Sequence, residues 1–133
     1  MSQAEFLNLR DGAAKSRWTS DAVFVDGWGF LNGILPIDLE DDKVALPEWV
    51  EEQTGRIFAN LETLLKARGL GREHVVSVRV HLTEFKRFYD RMNSAYVGFF
   101  GSGKLPSRTC VGVGALERGA LVAMDFVVRK PAS

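Results

Sequence analysis

Between Leu121 and Val128 the chain sets Val122, Met124 and Phe126 in alternation with Ala123, Asp125 and Val127. Both faces of that extended segment are mostly apolar. Such a strand must be covered on both sides, which places it inside a layered fold and away from a solvated margin. Asp125 is the exception: a carboxylate there needs a partner, or it lies beside a pocket.

The other elements are read by their period. Ala22-Val23-Phe24-Val25 and Gly29 to Leu35 are apolar runs separated by Asp26-Gly27, a strong hairpin signal. Glu40-Asp41-Asp42-Lys43 reads as a solvated loop, because adjacent carboxylates on a flexible turn are not preorganised for a metal. Pro47 opens a helix, with Glu48, Glu51 and Glu52 complementing the positive end of its dipole. Val50, Ile57, Leu61, Leu64 and Leu65 form its apolar stripe, and Gly69 is a natural left-handed stop. Gln53 and Asn60 lie near that stripe as polar boundary positions. Val75 to Leu82 reads as a strand with Val76, Val78, Val80 and Leu82 on its buried side. Thr83 is placed to cap a second helix carrying Phe85, Phe88 or Tyr89, Met92, Tyr96 and Phe99, with Asn93 one residue off the stripe. Gly98, Gly101 and Gly103 close that helix.

The order is strand, strand, helix, strand, helix, strand, strand. The simplest arrangement is one mixed sheet with both helices on one face, an α+β fold. The opposite face is then bare and calls for other subunits to cover it. Met1 to about Arg17 shows no sustained period and reads as an N-terminal arm (1–17) preceding a single domain (18–130).

At 133 residues the chain can bury a real core without metals or disulfides. Its formal net charge of zero gives no electrostatic reason to bind nucleic acid or an acidic membrane. The lone Cys110 cannot form an internal disulfide, the opening MSQAEF lacks the pattern of a secretory signal, and no apolar run approaches membrane-spanning length. A cytoplasmic protein is expected.

Candidate chemistry centres on Lys104 to Val113, a Pro-bearing loop feeding a strand. Arg108 sits at the junction, where its planar fork suits a carboxylate or phosphate; a surface Arg at a strand end explains the same residues. His74 and His81 are seven apart, on opposite faces of a continuous strand, and one Cys adds little, so a metal site has little support. Cys110 reads as a small buried thiol, since neither His is placed beside it by sequence. There is no nucleophile-elbow motif and no phosphate loop.

Taken together, these residues resemble the reactive-intermediate deaminase (RidA/YjgF) family. The matching pieces are Asn32 to Asp38, Gln53 with Asn60, Asn93-Ser94-Ala95-Tyr96, Pro106 to Val113 and Leu116 to Val122, within a resemblance running from about Ala22 to Arg129. It implies a chorismate-mutase-like α+β fold, assembled as a homotrimer around a central β-barrel with sites in the clefts between subunits. It also implies hydrolysis of enamines and imines such as 2-aminoacrylate to 2-oxo acids and ammonia, without metal or organic cofactor. Arg108 then grips the substrate carboxylate, Cys110 contributes mainly through its backbone, and Asn32-Gly33 and Asn93 match family positions. Three positions depart from the pattern, one of them Asn32, where the family carries a Ser. The family glutamate that positions water falls on Ala123, leaving Asp125, two residues on, as the candidate catalytic carboxylate. The pocket-lining Tyr falls on Thr19, beside Trp18.

Two functions from different classes follow. One is an imine or enamine deaminase acting on a small carboxylate, with the changed pocket residues suggesting a longer unsaturated amino acid than 2-aminoacrylate, such as aminomuconate. The other is a non-catalytic trimer binding 2-oxo acids, favoured by Ala123. A ribonuclease fits poorly with zero net charge and no basic stripe.

Overall fold

In the computed structural model, which describes residues 3–10, 18–41 and 43–131, the segment with two apolar faces lies inside a six-stranded sheet. In chain order the elements are β1 (Glu5–Leu7), β2 (Ala22–Val25), β3 (Trp28–Ile34), α1 (Val50–Lys66), β4 (Val75–Leu82), α2 (Phe85–Phe100), β5 (Ser107–Gly112) and β6 (Val122–Arg129). The sheet order is β1-β2-β3-β6-β4-β5. Only β4 and β5 pair in parallel, with α2 as the crossover between them; the other pairs are antiparallel. Both helices pack on one face, giving the expected mixed-sheet α+β fold.

The core forms between that face and the helices. Leu31, Val78, Val80, Leu82, Val122, Met124 and Phe126 meet Ile57, Phe58, Leu61 and Leu65 of α1 and Phe88, Met92 and Tyr96 of α2. Phe58 ties the layers together, stacking on Phe99 at 4.2 Å and tilting against Phe126 at 6.2 Å. Asp26 and Gly27, at φ 53° and 82°, make the tight turn between β2 and β3. On the uncovered face Trp28 and Phe30 are each 40% exposed and Val111 is 37% exposed.

Local differences from the sequence reading have physical causes. Helix α1 begins at Val50, three residues after Pro47; Trp49 is still extended, and the Gln53 side chain donates back to the Pro47 carbonyl at 2.8 Å. Thr83 does not cap α2. Its backbone N–H and hydroxyl both donate to the Leu121 carbonyl, and the left-handed Glu84 precedes the first turn. Gly98 lies within α2, which ends before Gly101 at φ 76°. Gly69 does adopt the left-handed conformation, at φ 69°. A register shift between Val75 and Ser77 turns Val76 outward, leaving Val75 buried in its place.

The arm also holds a short strand. Strand β1 pairs antiparallel with β2. Just beyond it, Arg10 Nε and Nη2 donate to Asp21 Oδ1 at 2.9 and 2.6 Å, while the Leu9 backbone N–H donates to Oδ2 at 2.8 Å. Residues 5–10 are therefore tied to the sheet; residues 1–2 and 11–17 of the expected arm lie outside the described residues, as does Asp42. Among the described residues, no helix is long and apolar enough to cross a membrane.

Candidate functional site

The parallel register pairs Arg108 with Val78 and Cys110 with Val80, so both side chains share the helix-covered side of the sheet. There Arg108 meets α2. Its Nη1 donates to Asn93 Oδ1 at 2.7 Å and its Nη2 to the Tyr89 hydroxyl at 3.4 Å. The guanidinium carbon lies 4.7 Å from the Tyr96 ring centroid and 5.9 Å from that of Tyr89. Positions 89, 93 and 96 stand four and three apart, which is why one helix face presents all of them to one cation. Every one of these partners is neutral. No carboxylate pairs with Arg108 among the described residues, so its charge is oriented without being cancelled.

Two neighbours feel that enclosure. Burial pushes the Cys110 thiol up, against a smaller opposing pull from Arg108. Burial likewise raises the Tyr96 phenol, again opposed by Arg108. The Tyr96 hydroxyl is buried with no hydrogen-bond partner among the described residues. A thiol held protonated is a poor nucleophile.

A second group of expected site residues gathers around a bulge in β3. The register of β3 against β6 shifts between Leu31 and Ile34, where Gly33 takes φ 71°. This turns the Gly33 N–H to Asp125 Oδ1, which accepts it at 2.6 Å. The other carboxylate oxygen, Oδ2, lies 3.0 Å from His81 Nε2. Asn32, Gly33 and Thr19 line a cleft of about 130 Å³, with Asp21, Asn60 and Glu117 also in its wall. Trp18 is 90% exposed and is not among the cleft's lining residues.

Arg108, Cys110 and Asn93 thus come together, as do Asn32, Gly33 and Thr19 with Asp125 close by. The two groups do not meet within one chain. Asp125 pairs with Arg79, and its side chain projects from the uncovered face, opposite to Arg108.

Three residues of these groups escaped the sequence reading as site residues. Tyr89 and Tyr96 were expected as core stripe, which Tyr96 also is. His81 becomes visible only through the β4–β6 register, which sets it opposite Ala123 and beside Asp125. His74 is not on the strand: it ends a 3-10 turn, Arg72–His74, and its Nδ1 accepts the Gly71 N–H at 3.0 Å. Among the described residues, no three His, Cys, Asp or Glu side chains are grouped to hold a metal ion.

The model of the family described as Endoribonuclease L-PSP, to which the RidA/YjgF proteins belong, matches residues 10–130. This chain is a member of the RidA/YjgF family. It is similar to a RutC family protein of Aquifex aeolicus, 36% identical over 112 residues that cover 84% of this chain and 87% of the relative. Among solved RidA/YjgF-type structures, YyfA of the Rid family from Yersinia pestis superposes with a TM-score of 0.85 at 22% identity, covering 96% of this chain and 99% of that one. TdcF of E. coli, solved with bound serine, superposes with a TM-score of 0.81 at 20% identity, covering 95% and 98%. At those identities the likeness is one of fold.

Proposed function

We propose that this RidA/YjgF protein hydrolyses small 2-imino or enamine carboxylates to 2-oxo acids and ammonia, with Arg108 holding the substrate carboxylate. The observation that carries the reading is the state of Arg108. Asn93, Tyr89 and Tyr96 aim the guanidinium, yet it keeps its full charge and unpaired donors. A fork of that kind accepts a carboxylate through two parallel bonds. Serine, bound to the similarly folded TdcF, carries such a carboxylate.

In this reading the protein is a cytoplasmic homotrimer. Arg108, Cys110 and Asn93 of one copy face Asn32, Gly33, Thr19 and Asp125 of the next, with Trp18 at the margin. The exposed Trp28, Phe30 and Val111 on the uncovered face support such an assembly. The substrate is already reactive, so holding its C=N carbon against an ordered water supplies most of the rate gain, and no metal or organic cofactor is required.

The test is to generate 2-aminoacrylate and longer unsaturated enamines in situ and follow their decay. Wild type is expected to accelerate the decay of at least one of them, and Arg108→Ala to remove that acceleration. Ala123 favours the second reading, a trimer that binds 2-oxo acids without turnover. Arg108-dependent carboxylate binding with no acceleration of any substrate selects it.

A further inference from the structure

His81 and Asp125 form an imidazole–carboxylate pair on the uncovered face, with side chains 26% and 28% exposed. They are sheltered from bulk water without being sealed from a ligand. Asp125 is fixed from two directions, by the Gly33 N–H at 2.6 Å on Oδ1 and by His81 Nε2 at 3.0 Å on Oδ2. An ionised carboxylate can only accept. In the neutral imidazole the contact therefore assigns the proton to Nε2 and leaves the lone pair on Nδ1. That nitrogen has no partner among the described residues. In His74, by contrast, Nδ1 is used by the Gly71 N–H to close a turn. The residue directly across from His81 on β6 is Ala123, whose methyl is a small neighbour for the imidazole.

We propose that His81 is the proton-transfer residue of the hydrolysis and that Asp125 is its positioning residue. The inference rests on the imine-hydrolase reading and names a base for it. Water bonds to the imine carbon as the C=N π pair moves to nitrogen. His81 Nδ1 takes a proton from the water and returns it to that nitrogen, giving a carbinolamine. In the second half the C–N bond breaks, and Nδ1 moves the hydroxyl proton to the departing nitrogen. A 2-oxo acid and ammonia are released. Each half carries one proton from oxygen to nitrogen, so the imidazole ends as it began. Asp125 holds the ring and stabilises its transient positive charge, as a carboxylate does behind any catalytic imidazole. In a 2-imino acid the carboxylate and the C=N carbon are adjacent. Arg108 of one copy and His81 of the next can then act on one molecule from opposite walls of the cleft.

The charged groups near His81 on this face are Asp125 on β6, Arg79 two residues back on β4, and Arg129 at the far end of β6. Strand β5 offers Thr109 and Val111, and β3 offers Trp28 and Phe30, none of which is an acid or a base.

The experiment is kcat and KM for the accelerated imine from pH 5 to 9 in wild type, His81→Gln and Asp125→Asn, with melting temperatures in parallel. Wild-type kcat/KM is expected to rise with pH, because only the neutral imidazole can take the proton of the water. His81→Gln should lower kcat by about 100-fold or more, lose the rise, and keep KM within about twofold because Arg108 is untouched. Asp125→Asn should lower kcat while keeping KM within about twofold, since the ring is no longer held by a carboxylate and Arg108 is untouched. Arg108-dependent turnover in which His81→Gln keeps wild-type kcat overturns the inference and leaves the functional reading standing. A kcat loss in His81→Gln with the pH profile unchanged marks a structural role and also overturns it. Absence of wild-type acceleration overturns the functional reading itself, and the proton-transfer role with it.

Discussion

Arg108 Nη1 donates to Asn93 Oδ1 at 2.7 Å, joining the start of β5 to the middle of α2. The chemical type of that partner matters more than its distance. An amide oxygen orients a guanidinium without neutralising it, whereas a carboxylate does both. The cation also rests on the Tyr96 ring, so its position is set from below by a π face and from the side by a neutral acceptor. The charge remains available to a ligand.

Asn93→Asp separates orientation from charge. The two side chains are nearly isosteric, so the bond to Arg108 persists and the fold should be as stable or slightly more so. The grip on an external carboxylate should weaken by about 10- to 100-fold, the worth of one charge-assisted bond of about 1.5–3 kcal/mol. Titration of a 2-oxo acid by calorimetry reads the loss. Wild-type affinity in this variant would show that Arg108 is not the anchor.

Asn60 is expected to act on the fold and not on chemistry. Its Nδ2 donates to the carbonyls of Leu35 and Ile37 at 3.0 and 2.9 Å, holding the chain after β3 against α1. Asn60→Leu leaves both carbonyls without that donor in a site that is 5% exposed. A loss of about 2–4 kcal/mol follows from one to two unsatisfied buried groups. Chemical denaturation should show it as a lower midpoint at unchanged slope. Arg108 is held by Asn93, Tyr89 and Tyr96 of α2 and should keep those contacts in the folded fraction.

The elements that could be read in the sequence are those whose signal is local. Asp26-Gly27 specified its turn, the period of Val50 to Leu65 specified α1, and the two apolar faces around Met124 specified an inner strand. What could not be read depends on partners distant in the chain. The three residues of β1 are too few to show an alternation, and their place is fixed by pairing with β2 and by the Arg10–Asp21 pair. Thr83 has the composition of a cap, but Leu121, 38 residues on, takes its hydroxyl. The candidate site divides in the same way. Arg108, Cys110 and Asn93 were legible as a set because loop, strand and helix follow one another. His81 was not, because only the β4–β6 register brings it to Asp125, 44 residues away.

The half-buried thiol of Cys110 and the buried phenol of Tyr96 near Arg108 make stability depend on alkaline pH. Burial holds the Cys110 thiol above its ordinary 9.0 and the Tyr96 phenol above its ordinary 10.0, with Arg108 opposing both. Above about pH 9 the unfolded chain therefore loses these protons before the folded chain does. The folded state then binds more protons, and stability falls as pH rises. Melting temperature should be flat with respect to these groups below pH 8 and decline from pH 9 to 11. Cys110→Ala should make the early part of that decline shallower and Tyr96→Phe the later part. Equal slopes in all three proteins would dissociate the decline from this cluster.

The proposed assembly is tested at Phe30, which is 40% exposed on the face opposite the helices. In a single chain Phe30→Glu places a carboxylate in water and costs the fold little. In a trimer closed over that face, it places one in each of three equivalent apolar contacts, and burying an unpaired charge costs several kcal/mol per site. Light scattering coupled to size exclusion should give three times the chain mass for wild type and the mass of one chain for the variant. Because Arg108 and His81 lie on opposite faces of one sheet, the dissociated variant should also lose turnover with both residues intact. A wild-type protein that runs as a monomer would overturn the assembly, and a Phe30→Glu monomer that keeps full activity would mean the site is complete within one chain.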